Sequence, residues 1–256
     1  MNSLRQGFSW WCYADCGVAD EELLSKARGI GLESVDLIDK LLWPLAQKHG
    51  LKIAAVEGHR SIEQGLNRRE NELRIEMELR TRIEEAEKFN IPVLICFSGN
   101  RDGIDDESGL AACAETLGRL APVAANAGVT LAVELLNSKV DHLDYQCDHT
   151  EWGVRLCEQV SAPSVKLLYD IYHMQVMEGD VIRTVEKHHP HFAHYHTAGN
   201  PGRGQPDETQ ELNYPAIYRA IAATGYQGYV SHEFLPEGDP IAALKSAYDD
   251  CLHSIT

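Results

Sequence analysis

This chain of 256 residues lacks the usual marks of a membrane, secreted or nucleotide-binding protein. No apolar run approaches the ~20 residues needed to span a bilayer, and no basic-then-apolar signal segment opens the sequence. Its seven cysteines (12, 16, 96, 113, 147, 157 and 251) are odd in number and scattered, without the spacing of a disulfide or zinc framework. Cys12 and Cys16 come closest, but two thiols do not close a zinc site. They read as small buried hydrophobes in a reducing, cytoplasmic compartment. Positive charge is scarce, with 23 Lys and Arg against 39 Asp and Glu, a formal balance of −16. Such a surface repels phosphate backbones, which argues against nucleic acid as a partner. Also missing are a Gly-x-Gly-x-x-Gly after the first strand, a phosphate loop, a Gly-x-Ser-x-Gly elbow and a His-Glu-x-x-His zinc helix.

What remains is enough for a large core, since 44% of residues are hydrophobic. Strand-like runs at 8–13, 34–38, 52–57, 93–98, 130–136, 166–171, 193–197 and 229–234 alternate with segments of helical period. An example of that period is Leu110, Cys113, Ala114, Leu117, Leu120 and Ala121. Strands apolar on both faces, alternating with helices, predict a parallel sheet covered by helices. Eight repeats in this length favour closure into a (β/α)8 TIM barrel, one α/β domain over residues 1–256. Residues 67–89 are the longest and most charged helix, with (i, i+4) pairs expected at Glu70/Arg74, Glu76/Arg80 and Glu78/Arg82. That helix, or Trp10 and Trp11 on the first strand, offers contacts for a homo-oligomer. The richest Gly/Pro stretch, 199–207, follows the seventh strand, where a barrel enzyme places functional loops.

Four of the runs end on metal-ligand residue types: Thr130-Leu-Ala-Val-Glu134, Val165-Lys-Leu-Leu-Tyr-Asp170, Phe192-Ala-His-Tyr-His196 and Gly228-Tyr-Val-Ser-His-Glu233. Their spacings of 36, 26 and 37 residues are each about one strand–helix unit. Parallel strands of a barrel deliver their last side chains to one mouth. Glu134, Asp170, His196 and Glu233 there make an O/N-rich set for a divalent cation, with Mn²⁺ or Mg²⁺ favoured and Co²⁺ or Zn²⁺ also suited. Side chains alternate along a strand, so His194 shares a face with His196 and Ser231 with Glu233, while His232 points away. His173, just past Asp170, is placed to polarise a substrate carbonyl. Arg203 is a cation over an acidic site, suited to gripping an anionic group or to pairing with Asp207 or Glu208. Glu57, His59 and Asn100 end the third and fourth strands, but no spacing selects them. Trp10, Trp11 and Tyr13 read as packing, with a sugar-stacking wall the alternative, and His188, His189 and His191 as surface residues.

Several longer motifs go with these residues: Glu134 before Leu-Leu-Asn, Asp170-Ile-Tyr-His-Met-Gln175, His194-Tyr-His-Thr-Ala198 leading to Pro201-Gly-Arg203, Glu211-Leu-Asn-Tyr-Pro215, and Gly225-Tyr-Gln-Gly-Tyr229 leading to His232-Glu233-Phe234. Over about 100 residues, 134–233, the chain resembles the hydroxypyruvate isomerase branch of the xylose isomerase-like barrels. Ketose 3-epimerases and endonuclease IV type repair enzymes share that superfamily. The resemblance implies one divalent metal on Glu134, Asp170, His196 and Glu233, substrate contacts from His173 and Arg203, and proton transfer by Glu134 and Glu233. It further implies an aldose–ketose isomerisation through a cis-enediolate, hydroxypyruvate to tartronate semialdehyde being the named pair. His196 is the departure, because the isomerases often carry glutamine there and the epimerases histidine. A 3-epimerase of free ketoses is therefore the second expectation. A DNA-repair phosphodiesterase is opposed by the acidic balance, and a non-catalytic sugar-binding protein is the alternative from another class.

Overall fold

The computed structural model describes residues 3–255. Among the described residues there are nine strands: β1 Arg5–Ser9, β2 Ser34–Asp36, β3 Lys52–Ile53, β4 Ala55–Glu57, β5 Val93–Cys96, β6 Thr130–Leu135, β7 Val165–Asp170, β8 Phe192–Thr197 and β9 Tyr229–His232. The helices between and after them are α1 Asp20–Ile30, α2 Trp43–Lys48, α3 Glu72–Phe89, α4 Asp106–Asn126 and α5 Thr150–Val160, then α6 Ile171–Met177, α7 Val181–His188, α8 Tyr214–Ala223 and α9 Pro240–Ile255. Strand order is β3-β2-β1-β9-β8-β7-β6-β5-β4. The two ends of that order, β3 and β4, are separated in the chain only by Ala54. The third expected strand, 52–57, is thus real but broken at one residue, and nine strands stand where eight repeats were predicted.

By packing, the chain divides into two compact units. One holds the residues up to Ala54, Asp180–His189 and those from Tyr195 onward; the other holds Ala55–Gly179 and Pro190–His194. In the second unit β4, β5, β6 and β7 pair in sequence, with Val93 opposite Thr130 and Glu134 opposite Leu168. Helix α4 follows its period: Leu110, Cys113, Ala114, Leu117, Leu120 and Ala121 are all buried. Each large apolar side chain among them contributes roughly 1.5–3 kcal/mol. Asp105 starts the helix by accepting from the Ser108 backbone N–H at 2.9 Å. Gly153 in α5 has a structural reason, because a Cβ there would lie 2.9 Å from both methyls of Leu167 on β7. In the first unit β1 is flanked by β2 and β9, and β9 pairs with the end of β8.

Three local expectations are corrected. The charged helix starts at Glu72, after a 3-10 turn at Arg69–Asn71. Its pairs shift accordingly: Glu76/Arg80 forms at 2.7 Å, but Arg74 pairs with Glu78 and Arg82 with Glu85. Strand β1 ends at Ser9, so Trp10 and Trp11 stand on a 3-10 turn beyond it. His188 is buried rather than a surface residue. Among the described residues no helix is long and apolar enough to cross a membrane.

Candidate active site

In the second unit, Glu134 and Asp170 stand at the ends of β6 and β7. They are 5% and 1% exposed, and each offers an oxygen within 4.8 Å of the other's. Two buried carboxylates this close repel unless a cation or proton lies between them, so the donor set fits a divalent metal. Asp170 also caps α6, its Oδ1 accepting from the His173 backbone N–H at 3.0 Å. A capping carboxylate and a ligand carboxylate are thus the same residue here. The cap fixes His173 in the first turn of α6, fully buried, with its Nε2 3.8 Å from Asp170 Oδ2. Its Nδ1 faces Asn137, whose backbone N–H donates at 3.2 Å.

In the first unit, His196 is fully buried near the end of β8 and Glu233 is the first residue past β9. His196 Nδ1 lies 3.1 Å from Glu233 Oε2, and its Nε2 lies 3.4 Å from Asp36 Oδ2. The Glu233 backbone N–H donates to the Thr197 carbonyl at 2.9 Å, which ties the two strand ends together. On the Glu233 carboxylate, Trp11 Nε1 donates to Oε1 at 2.8 Å and Arg203 Nη2 to Oε2 at 2.6 Å. The Arg203 guanidinium also stands over the Trp11 ring, 5.3 Å from its centroid. Burial pushes the Glu233 carboxyl up, but His196, Arg203 and Trp11 together outweigh it and hold it well below the usual range. Arg203 reaches this position from a left-handed backbone (φ 56°) in the 199–204 turn, where the Gly199 N–H donates to the Gly204 carbonyl.

Arg203 pairs with Glu233. His232 points away as alternation requires. Its Nδ1 meets Thr197 Oγ1 and its Nε2 meets Gln6 Oε1, and burial draws its pKa down to about 3. His59 is likewise internal, accepting from the Phe97 N–H at 2.9 Å. Asn213 in the Glu-Leu-Asn-Tyr-Pro motif caps α8, and Tyr214 Oη bridges the backbone N–H and carbonyl of Ala198. Two residues of the site escape sequence reasoning. Trp11 reads there as packing, its only signal being an indole near a strand end. Asp36 also ends a strand, but β2 is only Ser34-Val-Asp36 and follows Glu33, so no apolar run marks it as the runs before Glu134 and Asp170 do.

The xylose isomerase-like TIM barrel family matches residues 24–250. The 2-oxo-tetronate isomerase of Cupriavidus necator is 34% identical over 130 residues, 51% of this chain and 49% of that protein. The hydroxypyruvate isomerase of Escherichia coli is 34% identical over 125 residues, 48% of each. The matched region thus spans about half the length of these curated relatives. A crystal structure described as an AP endonuclease, family 2, from Brucella melitensis superposes with a TM-score of 0.85 at 25% identity, covering 94% of this chain and 96% of that one. The family match takes in most of the sequence, so the chain belongs to the xylose isomerase-like TIM barrel family.

Proposed function

We propose that this protein is a metal-dependent isomerase that interconverts a small hydroxy-ketone and hydroxy-aldehyde, hydroxypyruvate and tartronate semialdehyde being the leading pair. The observation that carries the reading is Glu233. Its buried carboxylate is fixed by Trp11 on one oxygen and by Arg203 and His196 on the other, which places it as an acid–base group at a strand end. Similarity to the hydroxypyruvate and 2-oxo-tetronate isomerases supports the same chemistry.

Glu134, Asp170, His196 and Glu233 are the residues that would hold the cation, since the C-terminal strand ends of a barrel open on one face. When bound, a divalent cation polarises a carbonyl and steadies the negative charge of an enediolate. The chain's own groups do the rest. One of Glu134 and Glu233 takes the proton from C3 of hydroxypyruvate, giving the cis-enediolate, and a carboxyl returns a proton to C2. The hydroxyl proton passes from O3 to O2, so the product is an isomer and no redox partner is consumed. His173 donates a hydrogen bond to the reacting oxygen, and Arg203 turns its guanidinium to the substrate carboxylate.

Purified protein with Mn²⁺ or Mg²⁺ is expected to convert hydroxypyruvate to tartronate semialdehyde, followed by NMR. Glu134→Gln is expected to retain ligand and lose turnover by at least about 10²-fold. Binding without turnover in the wild type would assign a sugar-binding role instead. Inversion at C3 of a free ketose, with no aldehyde formed, would assign an epimerase.

A further inference from the structure

We infer that Asn137 is a positioning residue that fixes the proton of His173 on Nε2, making that imidazole a hydrogen-bond donor toward substrate. The inference rests on the role given to His173 above. It starts from the orientation of the Asn137 amide. Oδ1 accepts from the backbone N–H of Val140 at 3.0 Å and of Asp141 at 2.9 Å. Two donors on one atom identify that atom as the oxygen, so Nδ2 is the end that meets His173 Nδ1 at 2.7 Å. Nδ2 also donates to Asp141 Oδ2 at 2.6 Å, which again requires nitrogen at that end. Asp141 is itself held by the Tyr172 hydroxyl, donating at 2.8 Å.

His173 Nδ1 therefore receives donors from both the side chain and the backbone of Asn137. A ring nitrogen facing two N–H donors cannot carry a hydrogen of its own. The neutral imidazole is left with its proton on Nε2. All four polar groups lie in Leu-Leu-Asn-Ser-Lys-Val-Asp141 and Tyr172-His173, so the device is built from the turn after β6 and the first turn of α6. It explains why Glu134 is followed three residues later by an asparagine. An alanine there would supply neither the turn's acceptor nor the donor to the ring. An aspartate would keep the acceptor and reverse the sign at the ring, offering an oxygen to Nδ1 and drawing the proton there. The second variant is thus a specific probe.

The test is nitrogen NMR of histidine-labelled protein with Mg²⁺, the His173 signals being assigned by their loss in His173→Gln. Wild type is expected to show a protonated Nε2 and a bare Nδ1. Asn137→Asp is expected to move the proton to Nδ1 and to lower kcat for hydroxypyruvate on the order of 10²–10³-fold, with KM changed only a few-fold. The carboxylate introduced by that substitution would oppose Asp141. The exchanged pair, Asn137→Asp with Asp141→Asn, restores one donor and one acceptor between them and serves if the single variant does not fold. A wild-type proton on Nδ1, or an unmoved proton in a folded aspartate variant, overturns the inference. A tautomer that moves while hydroxypyruvate is not a substrate of the wild type leaves the positioning role standing and overturns the proposed reaction.

Discussion

Glu233 takes Trp11 on one carboxylate oxygen and Arg203 on the other, and Arg203 in turn stands over the Trp11 ring. Removing one corner of this triangle separates its contributions. Trp11→Phe keeps an aromatic face under Arg203 and removes only the N–H. A hydrogen bond to a charged group is worth about 1.5–3 kcal/mol, so kcat is expected to fall by about tenfold or more in steady-state assays, with the fold unchanged by circular dichroism. An unaltered kcat would show that Arg203 and His196 suffice to hold Glu233. None of this is legible in the sequence, where Trp10 and Trp11 differ in nothing. Trp10 donates to Asp20 and Trp11 to Glu233, a division set by the 3-10 turn and not by composition.

At the scale of elements, β4 and β5 are joined through His59. Its Nδ1 meets the Arg60 carbonyl at 3.1 Å and its Nε2 accepts from Phe97, so the ring is neutral in the fold. Burial, the largest cause, lowers its pKa from 6.5 to about 4. The sign follows from proton binding. Between those values the unfolded chain binds a proton that the native ring does not, so stability falls as pH drops from 6.5 towards 4. The loss attributable to this residue is up to about 3 kcal/mol. Urea unfolding across that range should show a shallower pH slope in His59→Gln, since an amide oxygen can still accept from Phe97. An identical slope would contradict the assignment.

The strand–helix rhythm is readable because buried parallel strands are apolar on both faces and α4 keeps its period. Element ends are less so. Glu233 falls one residue beyond β9 and the tryptophans fall beyond β1, because strand propensity continues past the last ladder bond. The break at Ala54 leaves no trace in the run Lys52-Ile-Ala-Ala-Val-Glu57. The ligand residues can be named from their places at strand ends. Their partners cannot, because Trp11, Asp36 and Asn137 become relevant only through contacts made in the fold.

For the whole molecule, the proposed ligand set predicts that metal binding stabilises the fold. At a hundredfold excess over Kd a ligand adds about 2.7 kcal/mol, which for a chain of this size raises Tm by about 5–10 °C. Mn²⁺ is expected to give that shift in thermal melts. Asp170→Asn should abolish most of it, because asparagine keeps an oxygen to cap α6 while removing the charge. A full shift in that variant would remove Asp170 from the ligand set.

The central claim is that Glu134 and Glu233 move a carbon-bound proton. Its most direct measurement is NMR of hydroxypyruvate incubated with the metal-loaded protein in deuterium oxide. The account predicts deuterium entering the C3 position, and exchange slowed at least about 10²-fold in Glu134→Gln and in Glu233→Gln. Absence of exchange by the wild type, across hydroxypyruvate and a panel of related hydroxy-carbonyl acids and sugars, would contradict it.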